Sequence, residues 1–317
     1  MAIVEYPVAA VLKLWHMLLA DMLGMDANTA WVGSIVLLVL TIRLLLLPLA
    51  YRQFRSSRIL ANLRPHLEEI SQSFEGKNDQ DSRRELRLAR RELQQENDYR
   101  VRDGCVPMLI QIPVIIGLYR LLLRIARPVE GLNAAHSGYG PLNAEEVKTF
   151  LDARLFNVPL PSYVSMMDSK LRDLGTSQQE VLHVALPLIA MASLFTTANY
   201  LYSYIRNRRT QDYSKASARF IAKVLLWMGP IVLLFPWIFG LTGPAPVALL
   251  LYWVCNNLWT AAQSWGIQAR LNQTMPFTEQ FREHYLEKKS VHVESKHAKK
   301  HGKHSHKALA ARQQRPR

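Results

Sequence analysis

The 317-residue sequence lacks the patterns that would indicate a disulfide framework or a nucleotide site. Its two cysteines are Cys105, at the start of one apolar run, and Cys255, ten residues into another. Their depths in those runs differ too much for disulfide geometry, so we expect both to be packing residues. No glycine-rich loop that could cradle a phosphate is present, and nothing in the sequence requires nucleotide hydrolysis. We therefore expect a protein that is not an enzyme and has no cofactor.

Charged residues are scarce as well, at 20% of the chain, whereas 49% of the residues are hydrophobic. The apolar residues come in long runs, and a helix of about 20 such residues crosses the ~30 Å hydrocarbon core of a bilayer. The sequence therefore predicts an all-α polytopic membrane protein with five transmembrane helices. They lie at residues 31–51, 105–126, 181–205, 219–240 and 245–267.

The net charge of +14 is distributed unevenly between the segments that join these runs. The tail at 268–317 holds twelve Lys and Arg against four acids, and segments 52–104 and 206–218 are rich in arginine. Segment 127–180 instead holds five basic residues against seven acids. Because positively charged loops stay in the cytoplasm, we expect the N-terminus outside and the tail inside.

Residues 1–30 show no basic region followed by a small-residue cleavage site, so we do not expect a signal peptide. Polar residues interrupt the apolar run there, while the apolar side chains recur at helical spacing. This pattern favours a helix that lies in the outer interface of the membrane. The alternative is a sixth, irregular span, which would invert the charge pattern downstream.

Arg43 lies inside the first predicted span, twelve residues after Trp31. An arginine near the middle of a membrane costs roughly 2.5–3.5 kcal/mol, and each surrounding Leu, Ile or Val returns about 0.3–0.6 kcal/mol. The segment should therefore still insert, with its charge facing water, a partner or a cavity. Two interpretations stay open: Arg43 extends to the cytoplasmic headgroups, or it occupies a functional polar cavity.

Segment 52–104 is predicted to form a cytoplasmic antiparallel helical hairpin rather than a solvated linker. Two helical stretches, each with an apolar stripe, are separated by turn residues at 76–79. The stripes include Leu60, Leu63, Leu67, Ile70, Leu86 and Leu93.

The other soluble segments carry weaker signals. We expect an extracytoplasmic cap at 127–180, a short cytoplasmic loop at 206–218 and a disordered tail at 268–317, since the tail is basic and poor in apolar residues. The tail should bind polyanions, with ribosomal RNA or acidic lipid as candidates. Metal binding would need a fold that fixes the geometry of four histidines, so we expect none. These are His297, His301, His304 and His306.

Several short motifs follow one another through the predicted spans. They are Thr41-Ile42-Arg43 with Pro48, Gly104-Cys105-Val106-Pro107 with Gln111 and Pro113, Leu118-Tyr119, Leu251-Tyr252-Trp253, and Asn256-Asn257-Leu258-Trp259 with Gln263. Together they resemble the YidC, Oxa and Alb family of membrane protein insertases, over roughly residues 10–270. Family members often carry a glutamine near the position of Ala198 and Asn199, which leaves that wall of the site less well defined. The large periplasmic domain of some members and a transit peptide are missing, so the resemblance is to a short form in a bacterial cell membrane.

The resemblance implies a hydrophilic groove that is open to the cytoplasm and to lipid and holds Arg43 as a fixed positive charge. Nascent membrane proteins would enter this groove, and the Sec translocon, the ribosome and anionic lipids would be partners, with no role for DNA. The implied groove residues are Arg43, Gln111, Asn199, Asn256, Asn257, Trp259 and Gln263. Each uncharged polar residue among them could instead simply bond a neighbouring helix.

Two other classes of function stay open. A small-solute transporter would use Arg43 as a counter-ion for its substrate, but the sequence shows no inverted repeat. A tether would bind the ribosome or lipid through its tail, but it has no need of an arginine inside a span.

Overall fold

The computed structural model describes residues 2–77, 79–126 and 137–313, and most of these are helical. The ten helices within the described residues are α1 Ala2–Met17, α2 Ala27–Ser73, α3 Gln80–Glu96, α4 Val101–Ala126, α5 Ala144–Asp152, α6 Asp168–Asp173, α7 Gln178–Arg209, α8 Ala216–Thr242, α9 Val247–Thr274 and α10 Glu279–Gln313. A π-helical segment, Leu18–Met22, follows α1. Two short strands, β1 Arg154–Leu155 and β2 Val158–Pro159, pair in antiparallel fashion.

Three of these helices are long and apolar enough to cross a membrane: α2, α7 and α8. The prediction of an all-helical membrane protein is therefore confirmed at this level. The other two predicted spans coincide with α4 and α9. Polar side chains such as Asn256, Asn257 and Gln263 lower the hydropathy of α9, and several residues of α4 are not described at the side-chain level. Five spans therefore remain a prediction.

The chain forms two compact units. The first, which we call the helical core unit, consists of Met1–Arg55, Val101–Tyr202 and Met228–Arg270. The second, the polar unit, consists of Ser56–Arg100, Ser203–Trp227 and Leu271–Arg317. The boundary predicted at residue 51 falls inside α2, which continues without a break to Ser73.

The buried apolar side chains of the helical core unit lie towards one end of each long helix. In α2 the buried residues are Trp31, Ile35, Leu38 and Val39, whereas Leu44 and Leu45 are exposed. In α4 they are Leu118, Leu121, Leu122 and Ile125, whereas Leu109 and Ile112 are exposed. In α7 they are Val181, Ala185, Leu188, Ile189 and Ala192, whereas Leu194 and Leu201 are exposed. In α9 most of them lie between Val247 and Val254, whereas Leu258 and Trp265 are exposed; Ile267 is also buried, near the other end of the helix.

The segment predicted as a cap contributes to this same buried end, as far as it is described from residue 137 onward. Helix α5 begins at a capping box in which Asn143 and Glu146 bond each other's backbone N–H groups. Its Phe150 is fully buried and packs edge-on against Trp31, with 5.3 Å between the ring centroids. This part of the segment therefore packs against the buried end of α2, and its position outside the membrane stays a prediction.

The N-terminal helix predicted within residues 1–30 is present as α1, and it packs against α4. Ala9 and Leu12 are fully buried in that contact. The carboxylate of Glu5, only 2% exposed, accepts a hydrogen bond from Tyr139 and lies 3.1 Å from Arg120. Its predicted position in the outer interface of a membrane stays a prediction.

In the polar unit, α3 follows the 56–73 part of α2 after a turn in which Gly76 adopts a φ of 85°. Asp79 caps α3 by accepting a hydrogen bond from the backbone of Ser82. Arg90 donates to the hydroxyl of Ser71 at 2.6 Å. Of the six stripe residues predicted from the sequence only Leu63 is buried, and the other five are half-buried. They are Leu60, Leu67, Ile70, Leu86 and Leu93.

Within the segment predicted as a disordered tail, the structure continues the chain as helix α10. Phe277, Phe281 and Tyr285 recur every four residues. The rings of Phe277 and Phe281 stack with 5.1 Å between their centroids, and the tilted rings of Phe281 and Tyr285 are 6.1 Å apart. Arg58 lies over the ring of Phe277 at 3.9 Å. An aromatic face at helical spacing buries surface that a purely charged segment would not offer.

Glu68 provides the electrostatic attachment of α10. His284 Nε2 lies 2.6 Å from one of its carboxylate oxygens and Lys288 Nζ lies 2.5 Å from the other. The hydrogen bond to Glu68 raises the pKa of Lys288 above its ordinary value, so the ammonium stays charged at neutral pH. This carboxylate therefore joins two successive turns of α10 to α2.

Replacing Glu68 with alanine is expected to loosen α10. Charge-assisted hydrogen bonds contribute roughly 1.5–3 kcal/mol each, and partial exposure reduces that here, so deuterium uptake across 279–296 should be about tenfold faster. Glu69→Ala is the matched control, because Glu69 is exposed and its ion pair among the described residues is with His66 on its own helix. Equal uptake in the two variants would show that the aromatic face alone holds α10.

Candidate functional site

The polar side chains of the helical core unit begin where its packed apolar end stops. Arg43 lies on α2 just beyond Val39, and Asn256 lies on α9 just beyond Val254. Arg43 donates from Nε and Nη2 to the side-chain oxygen of Asn256, at 2.9 and 2.6 Å. Two residues separated by 213 positions thus form one polar contact between the two helices.

No carboxylate lies within ion-pair distance of Arg43 among the residues that the structure describes. Its described partner is a neutral amide, and the hydroxyl of Tyr252 donates to the same amide oxygen at 3.4 Å. An amide satisfies the hydrogen bonds of a guanidinium without neutralising its charge. The site therefore keeps a net positive charge in a half-buried position.

A second polar contact joins α7 to α9. The amide nitrogen of Asn199 donates to the backbone oxygen of Asn257 at 2.9 Å and to its side-chain oxygen at 3.3 Å. Asn257, only 7% exposed, donates in turn to the carbonyl of Trp253 at 3.0 Å. Because Asn256 and Asn257 are adjacent, α9 carries the polar contacts to α2 and to α7 side by side.

The remaining predicted site residues differ in what the structure shows. Trp259 donates from its indole nitrogen to Gln263 at 2.7 Å, a contact within one turn of α9 that joins no second helix. Gln111 lies in α4, but its side chain is outside the described part of the structure. Four of the predicted groove residues thus lie in two hydrogen-bonded pairs, Arg43 with Asn256 and Asn199 with Asn257, and their role in a groove stays a prediction.

Two further side chains take part that the predicted set omitted. Tyr252 contacts the amide of Asn256, and Thr260 donates to the Asn256 carbonyl at 2.8 Å. Both lie four residues from Asn256 on α9, one turn away on each side. That i±4 spacing around a polar residue in an apolar helix was a signal available in the sequence.

Metal coordination finds no support within the described ranges, where no group of three or more His, Cys, Asp or Glu could hold an ion. The side chains of His301, His304 and His306 in the tail are outside those ranges.

Comparison with known proteins places this sequence in a family. The model of the 60Kd inner membrane protein family matches residues 22–274, which include the helices that carry Arg43, Asn199 and Asn256. The chain is 43% identical over 296 residues to the membrane protein insertase YidC of Corynebacterium efficiens, covering 93% of this chain and 75% of that one. It is 42% identical to the YidC insertase of Corynebacterium glutamicum, covering 92% and 69% of the two chains.

A more distant relative, the YidC insertase of Mycobacterium leprae, is 31% identical over 270 residues, which cover 82% of this chain and 68% of that one. The match to the family thus spans α2, α4, α7, α8 and α9. On this basis the chain belongs to the 60Kd inner membrane protein family, the family of the YidC membrane protein insertases.

Proposed function

We propose that this protein inserts nascent membrane proteins by receiving a polar segment of the substrate at Arg43. The proposal rests on one observation: in the helical core unit, a charged site lies next to the end at which the long helices are packed. The described long helices of the helical core unit bury most of their apolar core residues at one end, and Arg43 with Asn256 lies just past that end. The packed end would be closed to water, whereas apolar residues towards the other end, such as Leu45 and Leu194, are exposed.

The orientation follows from charge. With basic segments in the cytoplasm, the packed end faces outside and Arg43 faces the cytoplasmic half of the membrane. The cap that contributes Phe150 to the packed end then lies outside. A substrate coming from the ribosome would reach Arg43 from the cytoplasm without crossing the apolar layer.

The energetic role of the site is to lower the cost of moving polar groups into hydrocarbon. An unpaired polar group costs several kcal/mol there, and an ionised one costs more. The guanidinium and the amides of α9 would provide hydrogen bonds and a positive charge for a short polar segment. The apolar segment of the substrate would then move into lipid, at about 25 cal/mol for each Å² removed from water.

This arrangement favours the polar cavity over the alternative in which Arg43 extends to the headgroups, because two of its N–H groups are held by Asn256.

The Sec translocon would act as a partner for larger substrates. Chaperone activity would follow from the same surface, which accepts an incompletely folded substrate and releases it into lipid.

The test is reconstitution of the purified full-length protein in liposomes with a two-span substrate whose short outer segment is acidic. We expect protease-protected insertion without nucleotide and without other proteins. A transporter would move a charged solute but not insert the substrate. A tether would recruit ribosomes without inserting the substrate, and either result would contradict the proposal.

The helices of the polar unit are proposed to form the cytoplasmic hairpin that substrates meet first. Leu63→Asp should separate α2 from α3, because burying a carboxylate in place of a leucine costs about 3 kcal/mol or more. Insertion should fall while the protein stays in the membrane. Leu88→Asp is the matched control, since Leu88 is 54% exposed on α3. Normal insertion with rapid hydrogen exchange across 60–95 would show that the hairpin is dispensable.

A further inference from the structure

A cavity of about 320 Å³ in the polar unit lies between the end of α7, the start of α8 and helix α10. Its volume is within the ~300–1,000 Å³ that is usual for ligand sites. Six of its twelve lining residues are basic, and none is acidic. The basic residues are Arg208, Arg219, Lys223, Lys289, His292 and Lys296.

No described ion pair neutralises the arginines and lysines of this cavity. Arg208, Lys223 and Lys296 form no ion pair among the described residues. Arg219 donates to the carbonyls of Tyr213 and Ser214, which are neutral acceptors. Like charges that line one cavity repel one another. An anion bound in the cavity would therefore reduce the electrostatic repulsion among these cations.

The cavity also contains an acceptor that lacks a donor. The side-chain oxygen of Gln211 is buried and has no hydrogen-bond partner in the described structure. A fully ionised phosphate offers only acceptor oxygens and would leave Gln211 unsatisfied. A ligand that carries both a phosphate and a free hydroxyl would satisfy the cations and the amide together.

The surroundings of the cavity indicate an amphipathic ligand. Leu226 and Val293 line it and are exposed, and Phe220 and Ile221 are exposed on the adjoining turns of α8. Helices α7 and α8 are each apolar enough to span a membrane, and the cavity lies where both become polar. This is the depth at which a lipid headgroup meets its acyl chains.

We propose that the cavity binds the headgroup of an anionic phospholipid with a phosphate and a free hydroxyl, as in phosphatidylglycerol. The phosphate lies among the lysines and arginines, the hydroxyl donates to Gln211, and the acyl chains run along α8. This site does not depend on the insertion mechanism. It requires only that α7 and α8 span a membrane.

The experiment measures lipid retention on the full-length protein by native mass spectrometry, after titration with phosphatidylglycerol or phosphatidylcholine. We expect the double variant K223Q/K289Q to lose about tenfold in phosphatidylglycerol affinity, since charge-assisted hydrogen bonds are the strong ones. The control K77Q/R282Q removes the same charge from two residues of the polar unit that do not line the cavity. It should stay within about twofold of the wild type.

Two further arms identify the ligand. Gln211→Leu should abolish the preference for phosphatidylglycerol over phosphatidic acid, whose headgroup has no glycerol hydroxyl, without weakening phosphatidic acid. Soluble glycerol phosphate and a short RNA should compete at least about a hundredfold more weakly than the lipid, since neither has acyl chains to bury. Equal losses in K223Q/K289Q and K77Q/R282Q, or equal competition by glycerol phosphate or RNA, would overturn the proposal.

Discussion

Replacing Arg43 with alanine is expected to reduce the insertion of a substrate with an acidic outer segment by about tenfold or more. The attraction between unit charges ~4 Å apart is about 4 kcal/mol at an effective dielectric constant near 20, and ~1.4 kcal/mol already corresponds to tenfold. Among the described residues, no carboxylate neutralises Arg43, so its charge is available to the substrate. The rate of protease-protected insertion into liposomes gives the measurement.

The conservative variant distinguishes charge from geometry. Arg43→Lys keeps the charge but replaces a planar guanidinium, whose Nε and Nη2 share the oxygen of Asn256, with a single ammonium. We therefore expect it to retain much of the activity. Asn256→Leu keeps the arginine and removes the amide that positions it, so it should have an intermediate effect.

A substrate with a neutral outer segment serves as the internal control for these variants. Its insertion should depend on Arg43 only weakly, because the Coulomb attraction is absent. If Arg43→Ala inserts the acidic substrate at the wild-type rate, the charge is not part of the mechanism. If both substrates lose activity equally, the arginine is structural.

The helices of this protein are predictable from sequence because their signals are local. An apolar run such as 181–205 fixes a helix by length and composition, and α7 extends it only by a few residues at each end. The turn at Gly76 and the cap at Asp79 are also local, and both are where the sequence indicates a break. Composition alone does not show that α2 continues past the predicted span.

The tail shows where local reasoning fails. Its charge density predicts disorder, but the attachment of α10 depends on partners far away in sequence. Glu68 lies 216 positions from His284, and the aromatic face works only because Arg58 lies against Phe277. Such contacts are created by tertiary structure and leave no signal within a window of the sequence.

The polar site around Arg43 can be predicted from the sequence only in part. A charge in an apolar run indicates that Arg43 needs a partner, but its spacing does not say which one. The family resemblance pointed to Asn256 and Asn257, and the structure assigns them to different neighbours, Arg43 and Asn199. Tyr252 belongs to one of the sequence motifs, but its hydroxyl gains a role only beside Asn256.

The structure also decides where the basic tail should be cut to test ribosome binding. A deletion from residue 288 would remove Lys288, which is paired with Glu68, and four residues that line the cationic cavity. Its effects on the ribosome, on helix α10 and on lipid could not be separated. A deletion of residues 299–317 removes seven Lys and Arg and leaves those contacts intact.

This shorter deletion is expected to weaken ribosome binding strongly and liposome insertion only slightly. Binding of basic residues to RNA releases counterions, so the affinity falls as the salt concentration rises. In a plot of log affinity against log salt concentration, each single-strand phosphate contacted contributes about 0.7 to the magnitude of the slope. Seven cations then correspond to a flattening of the slope by up to about 5. Insertion should stay within about twofold, because every proposed groove residue precedes residue 270 and the tail only raises the local concentration of ribosomes.

Co-sedimentation of ribosomes with the full-length and the shortened protein, over a series of salt concentrations, measures that slope. A full-length variant with glutamine at the same seven positions separates charge from length, since it keeps the chain and loses only the cations. It should behave as the deletion does. A slope that is the same in all three proteins would exclude the tail from ribosome binding, and anionic lipid would then be the better candidate for its partner.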